Sequence, residues 1–115
     1  MEIKESDWKV FRRLHSIALE RYCQRVLEEV RVAAECDADY HDCYRKVYRL
    51  IRNRDRTLAS AFDDPRRSTA LLLLANIIAE RLLTEEELKQ FSRDTQQYIE
   101  GITELRNAHL KRTRK

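Results

Sequence analysis

The first third of the chain has apolar positions that recur every three or four residues, the spacing of one face of an α-helix. The pattern predicts a first helix over about residues 7–34, with Ser6 or Asp7 as its amino-terminal cap. Its predicted inward face consists of Trp8, Phe11, His15, Ala18, Leu19, Tyr22, Val26, Val30 and Ala33. Four further apolar residues, among them Leu27, fall outside this stripe, so we expect the helix to contact more than one neighbour.

A polar interruption at residues 36–39 separates this segment from a second periodic one, which predicts a helix over residues 40–62 capped by Asp37 or Asp39. The inward positions of this second helix are Tyr40, Cys43, Tyr44, Val47, Ile51, Leu58 and Phe62. The only proline, Pro65, follows two aspartates after this segment. Proline suits the first position of a helix because its missing N–H needs no partner there. Pro65 therefore predicts the start of a third helix that runs to about Leu83.

The segment Thr84–Glu87 has the form of a capping box, because a glutamate follows the threonine after three residues. It predicts a fourth helix over about residues 85–110. Four helices with short connections predict an all-α domain with the architecture of an antiparallel four-helix bundle. We expect a single domain over residues 1–115, with a disordered basic tail at residues 111–115.

The composition supports the all-α prediction. One glycine and one proline are present, whereas average usage is about 7% and about 5%. Strand-rich folds need many turns, and turns use these two residues. The high share of charged residues, 37%, fits helices with long solvated faces. The formal net charge of +3 does not by itself indicate a polyanionic partner.

The sequence predicts no targeting or membrane segment. Residues 1–7 lack the apolar core of a signal peptide. The longest apolar run, Ala70 to Ala79, is shorter than the ~20 residues that span a bilayer. The three cysteines are an odd number without a secretion signal, so we expect reduced thiols in a cytoplasmic protein that does not act at membranes.

Arginines recur along one face of the second helix at i, i+4, i+7 and i+11, namely Arg45, Arg49, Arg52 and Arg56. Arg66 and Arg67 follow at the expected start of the third helix. The guanidinium group donates paired hydrogen bonds to phosphate, so one alternative is a face that binds an anion or nucleic acid. We favour the other alternative, a face that is solvated or paired with acidic residues of the same chain or a partner, because no base-reading motif accompanies the arginines.

Charged and polar residues also interrupt the apolar faces. Arg54 and Asp55 project toward the apolar side of the second helix, and His15 lies within the stripe of the first. A buried charge needs a partner, so we expect a polar network with a neighbouring helix, through Glu29 or His15. We favour an interhelical contact that fixes register over a pocket for a small anion or metabolite.

Cys36, His41 and Cys43 gather around one turn and are residue types that bind zinc. Structural zinc sites usually show two closely spaced ligand pairs, and here there is no second pair. We therefore assign no metal and no cofactor. The sequence also lacks a phosphate-binding glycine loop, a His-Glu-x-x-His motif and a Gly-x-Ser-x-Gly motif, so catalysis is disfavoured and no catalytic residue is assigned.

The third helix is apolar on more than one face, which exceeds what a helix of a small bundle usually buries. Either it is central, or its outer face pairs with a second copy or another protein. We favour the second arrangement and place the association surface at Leu71, Leu73, Leu74 and Ile78. The sequence thus predicts a small helical protein that acts through protein association, as a homo-oligomer such as a homodimer or as a regulatory or adaptor subunit.

Overall fold

The computed structural model describes the backbone of residues 2–113 and the side chains of residues 2–109. Its helices are α1 (Glu5–Ala34), α2 (Tyr40–Phe62), α3 (Ala70–Ala79), α4 (Glu85–Leu88) and α5 (Arg93–Thr113). The described residues contain no strand, so the prediction of an all-α fold is confirmed. Across the same residues, every helix is too short or too polar to cross a membrane.

Helices α1 and α2 form an antiparallel pair. Tyr22 of α1 donates a hydrogen bond from its hydroxyl to the carbonyl of Arg54, 3.0 Å away. Nearer the start of α1, the His15 Nε2–H donates to the carbonyl of Phe62 at the end of α2. The rings of Trp8, Phe11, His15, Phe62 and Tyr22 follow one another in this order at centroid distances of 5.3–5.9 Å. This aromatic row fills the space between the start of α1 and the end of α2, at the end of the pair that packs on the rest of the core.

Helix α3 is central. It contacts α1, α2 and α5, and it buries Leu71, Leu73 and Leu74 inside the chain. Ile78 is half-buried against the same core, and Leu72 is the exposed leucine of the run. The prediction that these four residues form an outer association surface is therefore wrong. Their apolar surface is already covered, because three helices of the same chain surround α3.

The third helix is also shorter than predicted at its start. Pro65 is not its first residue, because residues 64–69 form a turn in which the Thr69 hydroxyl accepts from the Arg66 N–H and donates to the Asp64 carbonyl. Asp64 has a φ of 55°, a left-handed conformation that aspartate tolerates better than most residues. The chain therefore enters the helix only at Ala70.

Helix α3 ends before Leu83 through a Schellman motif. Arg81 has a φ of 57°, its N–H donates to the Ile78 carbonyl, and the Leu82 N–H donates to the Ile77 carbonyl. Arg21 of α1 donates to the Leu82 carbonyl as well. Glycine usually occupies the left-handed position of this motif, so an arginine there gave no sequence signal.

The predicted capping box at Thr84 and Glu87 is confirmed, since each side chain bonds the other residue's backbone N–H. The single helix predicted over residues 85–110 is instead two, α4 and α5, separated by residues 89–92. This break brings Phe91 into the core and leaves Ser92 to cap α5. Helix α5 continues to Thr113, so the expected tail is helical at residues 111–113, and residues 114–115 lie outside the described residues.

The start of α1 also differs from the prediction. The helix begins at Glu5, and neither Ser6 nor Asp7 caps it. The Asp7 carboxylate is buried and accepts hydrogen bonds from the Ser92 N–H, the Ser92 hydroxyl and the Thr95 hydroxyl at 2.6–2.7 Å. Burial alone would raise the pKa of Asp7, but these bonds outweigh it and hold the pKa below the ordinary value. Asp7 thus joins α1 to the amino-terminal end of α5.

Candidate association surface

The outer parts of α1 and α2 extend beyond the rest of the protein as a two-helix arm, which we define as residues 23–57. Within residues 23–57, Cys43 is the one buried residue. The inner parts of the two helices, by contrast, contribute Phe11, Leu14, Ala18 and Phe62 to the core. The overall dimensions are 52 × 37 × 24 Å and the radius of gyration is 16.8 Å. A compact chain of this length has a radius of gyration of about 13 Å. The chain is therefore more elongated than a compact domain of its length.

One salt bridge closes the middle of the arm. Arg54 of α2 donates from Nε and Nη2 to the two carboxylate oxygens of Glu29 on α1, at 3.2 and 2.6 Å. The hydrogen bond from Arg54 lowers the pKa of Glu29, against a smaller opposing effect of burial. Both side chains remain about one-third exposed. The pair therefore fixes the register of the two helices at the protein surface.

The polar network expected from His15, Arg54 and Asp55 does not form as a unit. Arg54 pairs with Glu29, which is one of the two partners that the sequence suggested. His15 instead bonds the Phe62 carbonyl, at the inner end of α2. Asp55 is exposed and has no hydrogen bond or ion pair among the described side chains. These positions differ because Arg54 points between the helices and Asp55, 100° further round α2, points along the surface.

An apolar groove runs along one side of the arm between α1 and α2. Its volume is about 330 Å³. It is lined by Tyr22, Cys23, Val26, Leu27, Val30, Ile51, Arg54, Asp55 and Leu58. Leu27 and Ile51 are 67% and 42% exposed, although both side chains are apolar. No helix of the described part of the chain covers this groove.

Three tyrosines continue the apolar side of α2 toward the end of the arm. Tyr40, Tyr44 and Tyr48 are 96%, 70% and 57% exposed. At 100° per residue, Tyr44, Tyr48 and Ile51 lie within about 60° of one another around α2. The exposed tyrosines therefore extend the surface of the groove by about two helical turns. The sequence predicted that Tyr40, Tyr44 and Ile51 face the core, and that prediction is wrong because all three side chains are exposed.

The arginine row of α2 lies beside these tyrosines. Arg45, Arg49, Arg52 and Arg56 are all exposed. None of the four has a carboxylate within salt-bridge distance among the side chains described. Tyr48 is three residues after Arg45 and four before Arg52, so its ring lies next to the row on the helix surface. The row therefore forms a positively charged face of α2, which is adjacent to Tyr48 but turned away from the groove-lining Ile51.

Arg66 and Arg67 do not continue this row. Arg66 forms a salt bridge with Asp64 in the turn before α3. Arg67 forms one with Glu5 at 2.7 Å, and its guanidinium group lies 5.9 Å from the centre of the Trp8 ring. Both arginines thus have carboxylate partners within the chain, unlike the four arginines of the row on α2.

The end of the arm is closed by a disulfide bond between Cys36 and Cys43, whose Cα atoms are 5.8 Å apart. Asp39 caps α2 there by accepting from the Asp42 N–H. The expectation of reduced thiols is therefore wrong for Cys36 and Cys43, whereas Cys23 is free. Disulfide sulfurs are not thiolate ligands, so the pair does not supply a zinc site with His41. Among the described residues no three His, Cys, Asp or Glu side chains are grouped to hold a metal ion.

The groove itself was not predicted from the sequence, although its residues carried a partial signal. Leu27 fell outside the inward stripe of α1, and the tyrosines recurred every four residues on α2. Whether such residues are covered depends on which helices pack on α1 and α2, and periodicity does not reveal this. The chain matches no protein-family model, no curated protein and no solved structure.

Proposed function

We propose that the protein acts through protein association and that the arm is its binding surface. The observation that carries this proposal is the exposed apolar face of the arm, made of Leu27, Tyr44, Tyr48 and Ile51 around the groove. Exposed apolar residues scattered singly need no explanation, but a contiguous set beside a groove is typical of interaction sites. Tyrosine is also enriched at interfaces, where its ring packs and its hydroxyl stays hydrated.

A partner helix fits this surface best. Two antiparallel helices with an apolar groove between them offer the same kind of site that binds amphipathic helices in other proteins. From Tyr40 to Leu58 the apolar side of α2 extends over eighteen residues, or about 27 Å at 1.5 Å per residue. A helix of about five turns would cover this length and would turn the exposed arm into a three-helix unit. The role of a regulatory or adaptor subunit, or of a homo-oligomer, follows from such a site.

Site-specific photocrosslinking in the producing cells tests the proposal. A photoreactive phenylalanine analogue replaces Tyr44 or Tyr48 in the arm, and Tyr98 on α5 serves as the control because it is also an exposed tyrosine. We expect a discrete crosslinked protein from the two arm positions, either a second copy or another protein, and none from position 98. The Ile51→Glu substitution should abolish that crosslink. Equal crosslinking from all three positions, or none from the arm, would contradict the proposal.

Binding of nucleic acid is the second candidate, and the row of unpaired arginines on α2 is the observation in its favour. Contacts to phosphates are ionic and weaken steeply with salt. Retention on heparin or duplex DNA that is lost in an Arg49→Glu, Arg52→Glu variant would support it. We favour protein association because the groove and the exposed side chains around it are apolar, and a nucleic-acid backbone has no apolar surface to cover them.

A further inference from the structure

We infer that the occupant of the groove is a second copy of this chain, and that two arms pack antiparallel about a two-fold axis close to Ile51. This inference rests on the proposed function and identifies the partner. In such a dimer, α2 of each copy is the helix that lies along the groove of the other. The two arms then form a four-helix unit from the α1 and α2 helices of both copies.

The groove and the exposed tyrosines share one face of α2 but occupy different halves of the arm. On α2 the residues that line the groove run inward from Ile51 to Leu58. Tyr44 and Tyr48 are exposed on the outer side of Ile51. The face therefore has a recess on one side of Ile51 and two protruding aromatic side chains on the other. A surface of this kind is complementary to itself after a two-fold rotation about Ile51.

The spacing along the helix matches this arrangement. Tyr44 precedes Ile51 by seven residues, and Leu58 follows it by seven. At 1.5 Å per residue both are about 10.5 Å from Ile51, so an antiparallel copy of α2 places its Tyr44 level with Leu58. At 100° per residue, each of the two side chains lies about 20° from the direction of Ile51. Each Tyr44 ring thus lies over the groove of the other copy.

A polar pair at the rim of the groove fits the same register. Asp55 lines the groove, and neither its carboxylate nor the Tyr48 hydroxyl has a partner among the described side chains. Both residues lie on the same side of α2, at about 40° and about 60° from Ile51. The two-fold rotation keeps them on one side and brings Tyr48 of one copy level with Asp55 of the other, with an axial offset of about 1.5 Å. The hydroxyl then donates a charge-assisted hydrogen bond to the carboxylate.

The arginine row of α2 does not oppose this pairing. Its four members lie about 100–160° around the helix from Ile51, so they point away from the contact between the arms. The two copies therefore do not bring their rows together. A parallel pair of arms would place tyrosine against tyrosine and groove against groove. The match between the recess and the tyrosines of one chain thus favours the antiparallel dimer, because a helix of another protein would require no such match.

Sedimentation equilibrium of the full-length protein tests the inference. We expect a dimer at micromolar concentration. Ile51→Glu places two like charges at the two-fold axis and should raise the Kd of the dimer by about a hundredfold or more. Leu72→Glu is the matched control, because Leu72 is an exposed leucine outside the arm, and it should leave the Kd unchanged. Circular dichroism of each variant checks that the helices are intact.

Cysteine crosslinking at position 51 supplies a second test, because the two-fold axis brings this position next to itself. In a Cys23→Ser background, Ile51→Cys should give a disulfide-linked dimer under mild oxidation with copper phenanthroline. Tyr98→Cys in the same background is the control, since Tyr98 is exposed on α5 outside the arm. We expect the position 98 variant to stay monomeric on non-reducing gels.

A double-mutant cycle tests the register of the two arms. Tyr48→Phe removes the hydroxyl donor and leaves a carboxylate without its partner at the interface, so it should raise the Kd about tenfold. Asp55→Asn should raise it by a similar factor. Because both residues contribute to the same hydrogen bond, the double variant should be little weaker than either single variant.

Four results would overturn the inference. They are a monomeric wild type at micromolar concentration, equal effects of Ile51→Glu and Leu72→Glu, equal disulfide linkage at positions 51 and 98, and additive effects of Tyr48→Phe and Asp55→Asn.

The photocrosslinking experiment separates failure of the inference from failure of the proposed function. A discrete crosslink to another protein from Tyr44 or Tyr48, with a monomeric purified protein, would overturn the second copy as the occupant and leave the arm as a binding surface. Absence of any crosslink from the arm would contradict the proposed function as well.

Discussion

Asp7 in the first turn of α1 accepts a 2.7 Å hydrogen bond from the backbone N–H of Ser92, a residue 85 positions later in the chain. Ser92 immediately precedes α5, and its hydroxyl caps that helix while donating to Asp7. A carboxylate at a helix amino terminus is also stabilised by the helix dipole. One buried carboxylate thus bonds the capping residue Ser92 and the Thr95 hydroxyl in the first turn of α5, and it fixes α1 against that helix.

The Asp7→Asn substitution should destabilise the protein by about 2 to 4 kcal/mol, because hydrogen bonds to a charged group are stronger than neutral ones and the buried hydroxyls lose their acceptor. Urea unfolding followed by circular dichroism measures the change. Asp94→Asn is the matched control, since Asp94 is an exposed aspartate that pairs with Lys4. An unfolding midpoint for Asp7→Asn equal to that of Asp94→Asn would contradict this role.

Stability should fall when the pH drops below about 4.5, because Glu87, Asp7 and Glu29 have a lowered pKa in the folded state. The paired hydrogen bonds from Arg21 lower the pKa of Glu87 to about 2, and the Thr84 N–H adds to this effect. Hydrogen bonds from Ser92 and Thr95 lower the pKa of Asp7 despite its burial. Such groups stabilise the fold above their unfolded-state pKa, and the stabilisation is lost as the pH falls toward the folded-state pKa.

Urea midpoints measured between pH 7 and pH 2.5 check this dependence. The Glu87→Gln variant should show a smaller loss of stability on acidification than the wild type, and adding Asp7→Asn should reduce the loss further. If Glu87→Gln kept the full wild-type dependence on pH, the Arg21–Glu87 pair would not be its source.

The sequence predicted local features well and long-range features poorly. The extent of α1 and α2, the Asp39 cap and the capping box at Thr84 all depend on neighbouring residues. The bond between Asp7 and Ser92 has no local signature, because any exposed aspartate near a helix start looks the same in sequence. Arg81 also has no local signature, because it takes the left-handed conformation that glycine usually occupies, next to the buried Leu82.

At the candidate site, too, the sequence predicted the local features and missed those that depend on tertiary packing. Helical periodicity correctly placed Arg45, Arg49, Arg52 and Arg56 on one exposed face. Periodicity could not show that other helices would surround α3 while the groove of the arm stayed uncovered. Both α1 and α3 carry more apolar residues than one stripe, so the pattern does not tell which of the two is covered. Helix α3 lies between the turn at residues 64–69 and the Schellman motif at Arg81, and the sequence predicted neither of these connections.

Replacing Leu74 should be far more damaging than replacing its neighbour Leu72. Leu74 is 1% exposed in the core, whereas Leu72 is 58% exposed. Leu74→Ala removes buried methyl groups and leaves a cavity, so we expect a loss of about 2 to 5 kcal/mol. Leu72→Ala should change the stability by less than about 0.5 kcal/mol. Comparable losses in urea unfolding for the two variants would contradict the central position of α3.

The Cys36–Cys43 disulfide should stabilise the arm by about 2 to 3 kcal/mol, the entropic value for a loop of this short length. Cys36→Ser, Cys43→Ser should therefore lower the urea midpoint under non-reducing conditions. A reductant should lower the wild-type midpoint to that of the variant and leave the variant unchanged. Cys23→Ser is the control, because Cys23 is free and its variant should keep the response to reductant. A wild-type midpoint that does not respond to reductant would contradict the prediction.

The exposed apolar residues of the arm should contribute little to the stability of the isolated protein. Leu27 and Ile51 line the groove but are not covered, so Leu27→Gln, Ile51→Gln removes little buried apolar area and should change the free energy of unfolding by less than about 1 kcal/mol. Leu14→Gln, at a buried position, should cost several times as much because an amide would be buried without partners. Urea unfolding compares the two. A loss above about 2 kcal/mol for the groove variant would mean that these side chains hold the fold together, which would contradict their role as a binding surface for a partner.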